Sequence, residues 1–187
     1  IITSEKYKEA VSKKCREVEN YLKEAGVSVK IDDGEEHTPG WKFNYWELRG
    51  VPLRLEVGPR DLESGQVVTI RRDNGKKQAI KDDEVVHTVK EVLENIQKNL
   101  MQRADEFLKE HTYEAEDFER LIEILEGRGG LVKINWCGLE ECAEEMKNAT
   151  NGGVIRGTLF GMEEKAKGSC IRCGRPASQV VYISKQY

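Results

Sequence analysis

Apolar positions in the first part of the chain recur at helical spacing. Between Ser4 and Ala25 they fall at Tyr7, Ala10, Val11, Cys15, Val18, Tyr21 and Leu22, the i, i+3, i+4 pattern of an amphipathic helix, and Gly26 stands where such a helix stops. The period then shortens to two in Val27-Ser28-Val29-Lys30-Ile31, which predicts a half-buried strand ended by Asp32-Asp33-Gly34. Trp41 to Leu48 reads as a short aromatic helix closed by Gly50, and Pro52 to Val57 as a second strand. Segments 66–72 and 76–80 flank Asn74-Gly75, a dipeptide suited to the type I′ turn of a β-hairpin. From Asp82 to about Glu110 one apolar stripe runs through Val85, Val89, Val92, Leu93, Ile96, Leu100, Ala104, Phe107 and Leu108, predicting a long helix.

The remainder predicts a helix at 116–126, a strand at 131–136, a short helix at 140–150 and strands at 154–160 and 179–184. Helix, strand, short helix, strand, hairpin and helix in this order imply an α/β arrangement, with a mixed sheet covered by helices. The first strand of such a unit is expected before Ile1, and the start without Met reads as a cut through a longer protein.

Charge changes this picture little. The formal net charge is −4 over 187 residues, so any contact with nucleic acid must come from a local cationic patch. No apolar run reaches the length of a membrane span, and no basic leader precedes an apolar stretch. Motifs for phosphate-binding loops, zinc proteases and serine hydrolases do not occur.

The cysteines carry the clearest chemistry. Cys15 lies on the buried stripe of the first helix and reads as packing. The other four form Cys137-x4-Cys142 and Cys170-x2-Cys173, with 27 residues between the pairs. Two chelating pairs brought together from distant positions suit a tetrahedral four-thiolate zinc site, structural because no coordination position is left for water. Gly138 and Gly174 suit the turns in which backbone N–H groups face the sulfurs. Buried or oxidised cysteine pairs are the competing reading.

A second candidate lies in His37-Thr-Pro-Gly-Trp-Lys-Phe-Asn-Tyr-Trp-Glu-Leu-Arg-Gly50. Exposed aromatics beside Lys and Arg can stack on unpaired bases, whereas the same residues at helical spacing also fill cores; the sequence leaves both open. Trp41 and Tyr45 share one helical face, and Lys42 and Trp46 another. After the following strand, Gly58-Pro-Arg-Asp61 reads as a loop at a strand end. There Arg60 can bond a guanine edge bidentately, and Glu56 can accept from a base amine. Arg71-Arg72 and Lys76-Lys77 add hairpin charge that serves phosphates or only solvation. His37, His87 and His111 have no partner at catalytic or metal spacing.

Pro39-Gly-Trp-Lys-Phe-Asn-Tyr-Trp-Glu-Leu-Arg-Gly-Val-Pro-Leu-Arg-Leu-Glu-Val-Gly-Pro-Arg-Asp61 resembles the anticodon-binding domain of archaeal and eukaryotic-type prolyl-tRNA synthetases. The order that follows, hairpin, long helix, paired cysteines and terminal Tyr187, resembles the rest of that region. The resemblance implies a mixed-sheet anticodon-binding domain of class II synthetase type at 1–84. A connecting helix would span 85–112, and a small α+β four-cysteine zinc domain 113–187. It implies that Lys42, Phe43, Trp46, Glu56 and Arg60 form the surface that meets the anticodon loop of proline tRNA. It implies structural Zn2+ on Cys137, Cys142, Cys170 and Cys173, and a Tyr187 carboxylate brought near the catalytic site. No catalytic residue is expected in this chain: ATP and Mg2+ would bind only in a class II core outside it. A homodimer of the intact enzyme and a cytoplasmic location are implied, without DNA or membrane partners. The alternative is a free-standing zinc-containing RNA-binding or interaction module, and a third reading is a dimerisation domain with no RNA affinity.

Overall fold

The computed structural model describes residues 5–185. The chain divides into two compact units, Ile1–Arg103 and Ala104–Tyr187.

In the first unit, α1 (Glu5–Glu24) ends at Gly26, whose φ of +82° lets the chain turn without a Cβ clash. Helix α2 (Pro39–Leu48) is followed by β1 (Leu53–Glu56), the one-turn helix α3 (Pro59–Glu63), β2 (Gln66–Arg71) and β3 (Lys77–Lys81). A 3-10 turn at Asp82–Glu84 leads into α4 (Val85–Glu110). The described strands form an antiparallel sheet in the order β1-β2-β3. Its core joins Val18 and Leu22 of α1, Leu53, Val67 and Ile80 of the strands, and Val85, Val89 and Ile96 of α4.

Three expectations change here. Residues 27–31 bury alternate side chains as a strand would, and Val27 and Val29 pack on the core, but they join no ladder among the described residues. Period-two burial needs only a surface beneath; a strand also needs a hydrogen-bonding neighbour. The hairpin forms, but without a type I′ turn, which needs positive φ at both central residues. Asn74 does not have it; Gly75 does (φ +69°), and its N–H bonds the Arg71 carbonyl at 2.9 Å across a wider loop. The stripe on α4 buries Val85, Val89 and Ile96 but leaves Leu100, Phe107 and Leu108 exposed. A 26-residue helix is about 39 Å long, roughly twice the reach of a six-residue strand, so it outruns the sheet beneath it.

The hairpin loop is anchored by Asp73. Its carboxylate accepts from Arg71 Nε at 2.9 Å, from Arg71 Nη2 at 2.6 Å and from Asn99 Nδ2 of α4 at 2.6 Å. Arg71 is therefore committed inside the fold, while Arg72, Lys76 and Lys77 remain exposed.

In the second unit, β4 (Thr112–Glu114) precedes α5 (Phe118–Gly127), β5 (Leu131–Trp136), α6 (Glu140–Ala149), β6 (Gly153–Gly157) and β7 (Gln179–Lys185). The sheet order is β4-β5-β7-β6, with β4 parallel to β5 and the other pairs antiparallel. This sheet is mixed. Leu121, Ile124 and Leu125 of α5 and Met146 of α6 pack on Val132, Ile134, Val181 and Ile183. The short β4 gave no periodic signal in its three residues. Gly130, at φ +99°, is required because a Cβ there would lie 2.4 Å from the His111 carbonyl oxygen.

The Asp73 carboxyl is held well below the usual range, at about 2, chiefly by the Arg71 guanidinium and also by Asn99, against the opposing effect of burial. Its contribution to stability is therefore complete above the unfolded-state value near pH 4 and is lost as pH falls toward 2. Asp73→Ala is expected to destabilise the first unit by about 2 kcal/mol in urea unfolding at neutral pH. The deficit should shrink as the titration approaches pH 2, and a deficit independent of pH would remove the ion pair as its cause.

Candidate nucleic-acid interface and metal centre

Helix α2 starts where Thr38 accepts the Trp41 N–H at 3.4 Å and Pro39 fixes the first turn. None of its ten residues is buried. Polar contacts hold it instead. Lys42 Nζ pairs with Asp32 Oδ1 at 2.8 Å and bonds the carbonyls of Asp32 and Gly34. Trp46 Nε1 donates to Asp32 Oδ2 at 2.7 Å. Burial would raise the Asp32 carboxyl, but the Lys42 and Trp46 donors bring it below its usual value. The shared face of Lys42 and Trp46 is thus turned onto the 32–34 loop.

A second set forms around Arg54 on β1. Its guanidinium lies 3.8 Å from the Phe43 ring centroid, with Nη1 on Glu47 at 2.7 Å and Nε on Glu56 at 2.9 Å. Phe43 and Glu56 are therefore brought together by a residue, Arg54, that the sequence reasoning did not select; Glu47 was missed with it. The i+4 spacing of Phe43 and Glu47 was visible, but not the strand residue that would meet them.

Arg60 stands apart on α3. The Gly58-Pro-Arg-Asp61 segment is a helical turn and not a loop: Pro59 takes the first position and the Asp61 carboxylate accepts the Gly58 N–H at 2.9 Å. This leaves the Arg60 side chain exposed, with no side-chain partner among the described residues. A third set follows the outer face of α2: His37 stacks on Trp41 at 3.6 Å, Trp41 on Tyr45 at 4.9 Å, and the Arg49 guanidinium lies 3.7 Å from the Tyr45 ring centroid.

In the second unit, the Sγ atoms of Cys137, Cys142, Cys170 and Cys173 lie within 4.8 Å of one another, so the four can hold a metal ion. Local backbone explains the convergence. Cys170 N–H bonds the Arg175 carbonyl at 2.7 Å and Gly174 N–H the Cys170 carbonyl at 3.0 Å, closing a tight turn with Gly174 at φ +72°. Ile171 N–H bonds the Asn135 carbonyl at 3.0 Å and Ser178 N–H that of Trp136 at 2.9 Å, tying the turn to the end of β5 beside Cys137. Arg172 pairs with Glu145 of α6 at 2.9 Å, and α6 carries Cys142. Burial pushes the Cys142 thiol up to about 12. Burial acts on Cys170 too, but the backbone N–H groups of Cys173 and Arg172 overcome it and bring that thiol down to about 7. Tyr187 lies outside the described residues.

No helix of the described residues is long and apolar enough to cross a membrane.

A helix-backed sheet with an arginine-rich, aromatic outer edge, joined to a cysteine-clustered α/β unit, defines a two-part protein of the anticodon-binding class: residues 1–92 match the anticodon binding domain family. Residues 118–187 match the C-terminal domain of prolyl-tRNA synthetase. The chain belongs to the prolyl-tRNA synthetase family and corresponds to its C-terminal region. It is 44% identical over 187 residues to a proline–tRNA ligase of Thermofilum pendens, covering all of this chain and 39% of that protein. With the ligase of Natranaerobius thermophilus it shares 42% over 188 residues, covering 100% and 38%. With that of Pyrococcus abyssi it shares 41% over 190 residues, covering 100% and 39%. The chain thus spans about two fifths of the length of the curated relatives it matches.

Cys170→Ser removes a sulfur that the backbone N–H groups of Cys173, Arg172 and Cys137 face. It is expected to lower bound metal, measured by elemental analysis, and to lower the unfolding midpoint of the second unit. Unchanged metal stoichiometry would exclude Cys170 as a ligand.

Proposed function

We propose that this chain binds the anticodon loop of proline tRNA for the ATP-dependent attachment of proline. The observation that carries the reading is that the segment matching the anticodon binding domain holds both an exposed Arg60 and a pre-built Phe43–Arg54 stack. Two guanines are the readable bases of that anticodon, and Arg presents parallel N–H donors to guanine O6 and N7. Arg54 spends Nε and Nη1 on Glu56 and Glu47, which leaves Nη2 for a ligand, while both carboxylates retain lone pairs for a base amine. The guanidinium plane resting on Phe43 offers its other face to a base. Lys42 and Trp46 would act by fixing α2. Arg72, Lys76 and Lys77 are exposed cations able to meet phosphates.

The four cysteines would hold zinc as a structural ion. With Zn–S near 2.3 Å, a tetrahedral site has its sulfurs about 3.8 Å apart, and Cys137 and Cys173 are separated by 3.8 Å. A site filled by four thiolates stabilises the fold and leaves no position for substrate. Proline activation, ATP and Mg2+ would belong to the larger part of the protein that the relatives possess beyond the matched region. The Tyr187 carboxylate would reach toward that part, and the intact cytoplasmic enzyme would be a homodimer.

Arg60→Ala is expected to weaken binding of a proline tRNA transcript by about 1–3 kcal/mol. A transcript whose anticodon guanines are replaced should lose affinity for the wild-type chain and be insensitive to Arg60→Ala. Equal binding of both transcripts by the wild-type chain, measured by competition gel shift, would overturn the reading.

A further inference from the structure

Helix α2 leaves its outer face to solvent: Trp41 is 44% exposed and Leu48 89%. Along that face His37, Trp41, Tyr45 and Arg49 stand at successive intervals of four residues. They stack in that order, with separations of 3.6, 4.9 and 3.7 Å. Tyr45 is further fixed by the edge of Trp46 at 5.1 Å, and Trp46 is itself held by Asp32. The inner groups of this column have planar neighbours on both sides, so their rotamers are set before any ligand arrives. One end is closed by the Arg49 guanidinium. The other is the exposed imidazole of His37, which has no hydrogen bond, ion pair or second ring contact among the described residues.

We propose that this column is a stacking platform for one unpaired RNA base, which caps it on the open face of His37. The inference rests on the RNA-binding reading above and assigns it a second contact surface, separate from Arg54 and Arg60. A column of flat rings ended by imidazole and guanidinium fits a nucleobase, whose π-face stacks on either kind of group whatever its sequence. An aliphatic protein surface would be matched by branched apolar side chains, and Leu48 is the only such residue on α2. Stacking costs little ordering entropy here, because the column is already assembled.

The test is fluorescence anisotropy of a labelled proline tRNA transcript with the full chain across a salt series. Stacking on aromatic rings predicts that His37→Ala and Trp41→Ala each weaken binding about 5- to 50-fold. Because no phosphate contact is removed, the slope of log K against log salt should not change. His37→Tyr and Trp41→Phe keep a flat ring and should bind within about twofold of wild type. His37 precedes the helix, so His37→Ala tests the platform even if Trp41→Ala disturbs α2, which circular dichroism would register. Wild-type affinity in both alanine variants would overturn the proposal, and is also what a protein occupant of this face predicts. A loss that comes with a shallower salt slope would overturn it as well, by identifying an electrostatic contact. If the wild-type chain binds no tRNA, the RNA-binding reading itself fails.

Discussion

Asp32 is the constraint on which the exposed aromatic helix α2 depends. A ten-residue helix with no buried side chain gains nothing from a core, and a helix of that length is marginal in water by itself. One carboxylate binds Lys42 and Trp46 one turn apart, so it fixes both the position of α2 and its rotation about its axis. Given that rotation, the other two faces follow: Phe43 and Glu47 turn toward Arg54, and Trp41 and Tyr45 turn outward. Arg54 then ties the helix to β1 through Glu47 and Phe43. The aromatics stay at the surface because polar side chains keep them out of the core.

The metal centre is arranged on a different principle. Backbone hydrogen bonds from the 170–178 segment to Asn135 and Trp136 bring two chain segments together at the end of β5, and the sulfurs follow. Burial pushes the Cys142 thiol up, whereas backbone N–H groups aimed at Cys170 favour its thiolate. A bound metal ion would favour the thiolate form of all four cysteines.

Much of this was legible in the residue pattern. The residue pattern located α1, α2, α5 and α6 within a few residues, and the Leu131–Trp136 strand to the residue. The paired cysteine spacing located the cluster, since chelation by two short loops is a local property. Other features were not legible. The segment 27–31 alternates as a strand but lacks a ladder; the three residues of β4 are too few for a period; Gly58-Pro-Arg-Asp61 closes a helical turn because Asp61 caps it, in place of the expected loop. The family resemblance implies Lys42 and Trp46 as part of a ligand-contacting surface, and their polar atoms meet Asp32.

The sequence by itself determined which residues could do chemistry: four cysteines in chelating pairs, aromatics at intervals of four, and arginines near strand ends. These depend on spacing along one element, which the linear order contains. Only the tertiary structure decided how they are used. It placed Arg54 over Phe43, buried Asp73 beneath Arg71, turned Lys42 inward and left Arg60 exposed. Each of these outcomes sets a charge from one element against groups of another, and the energy of such a pair depends on distance and burial that no spacing along the chain specifies.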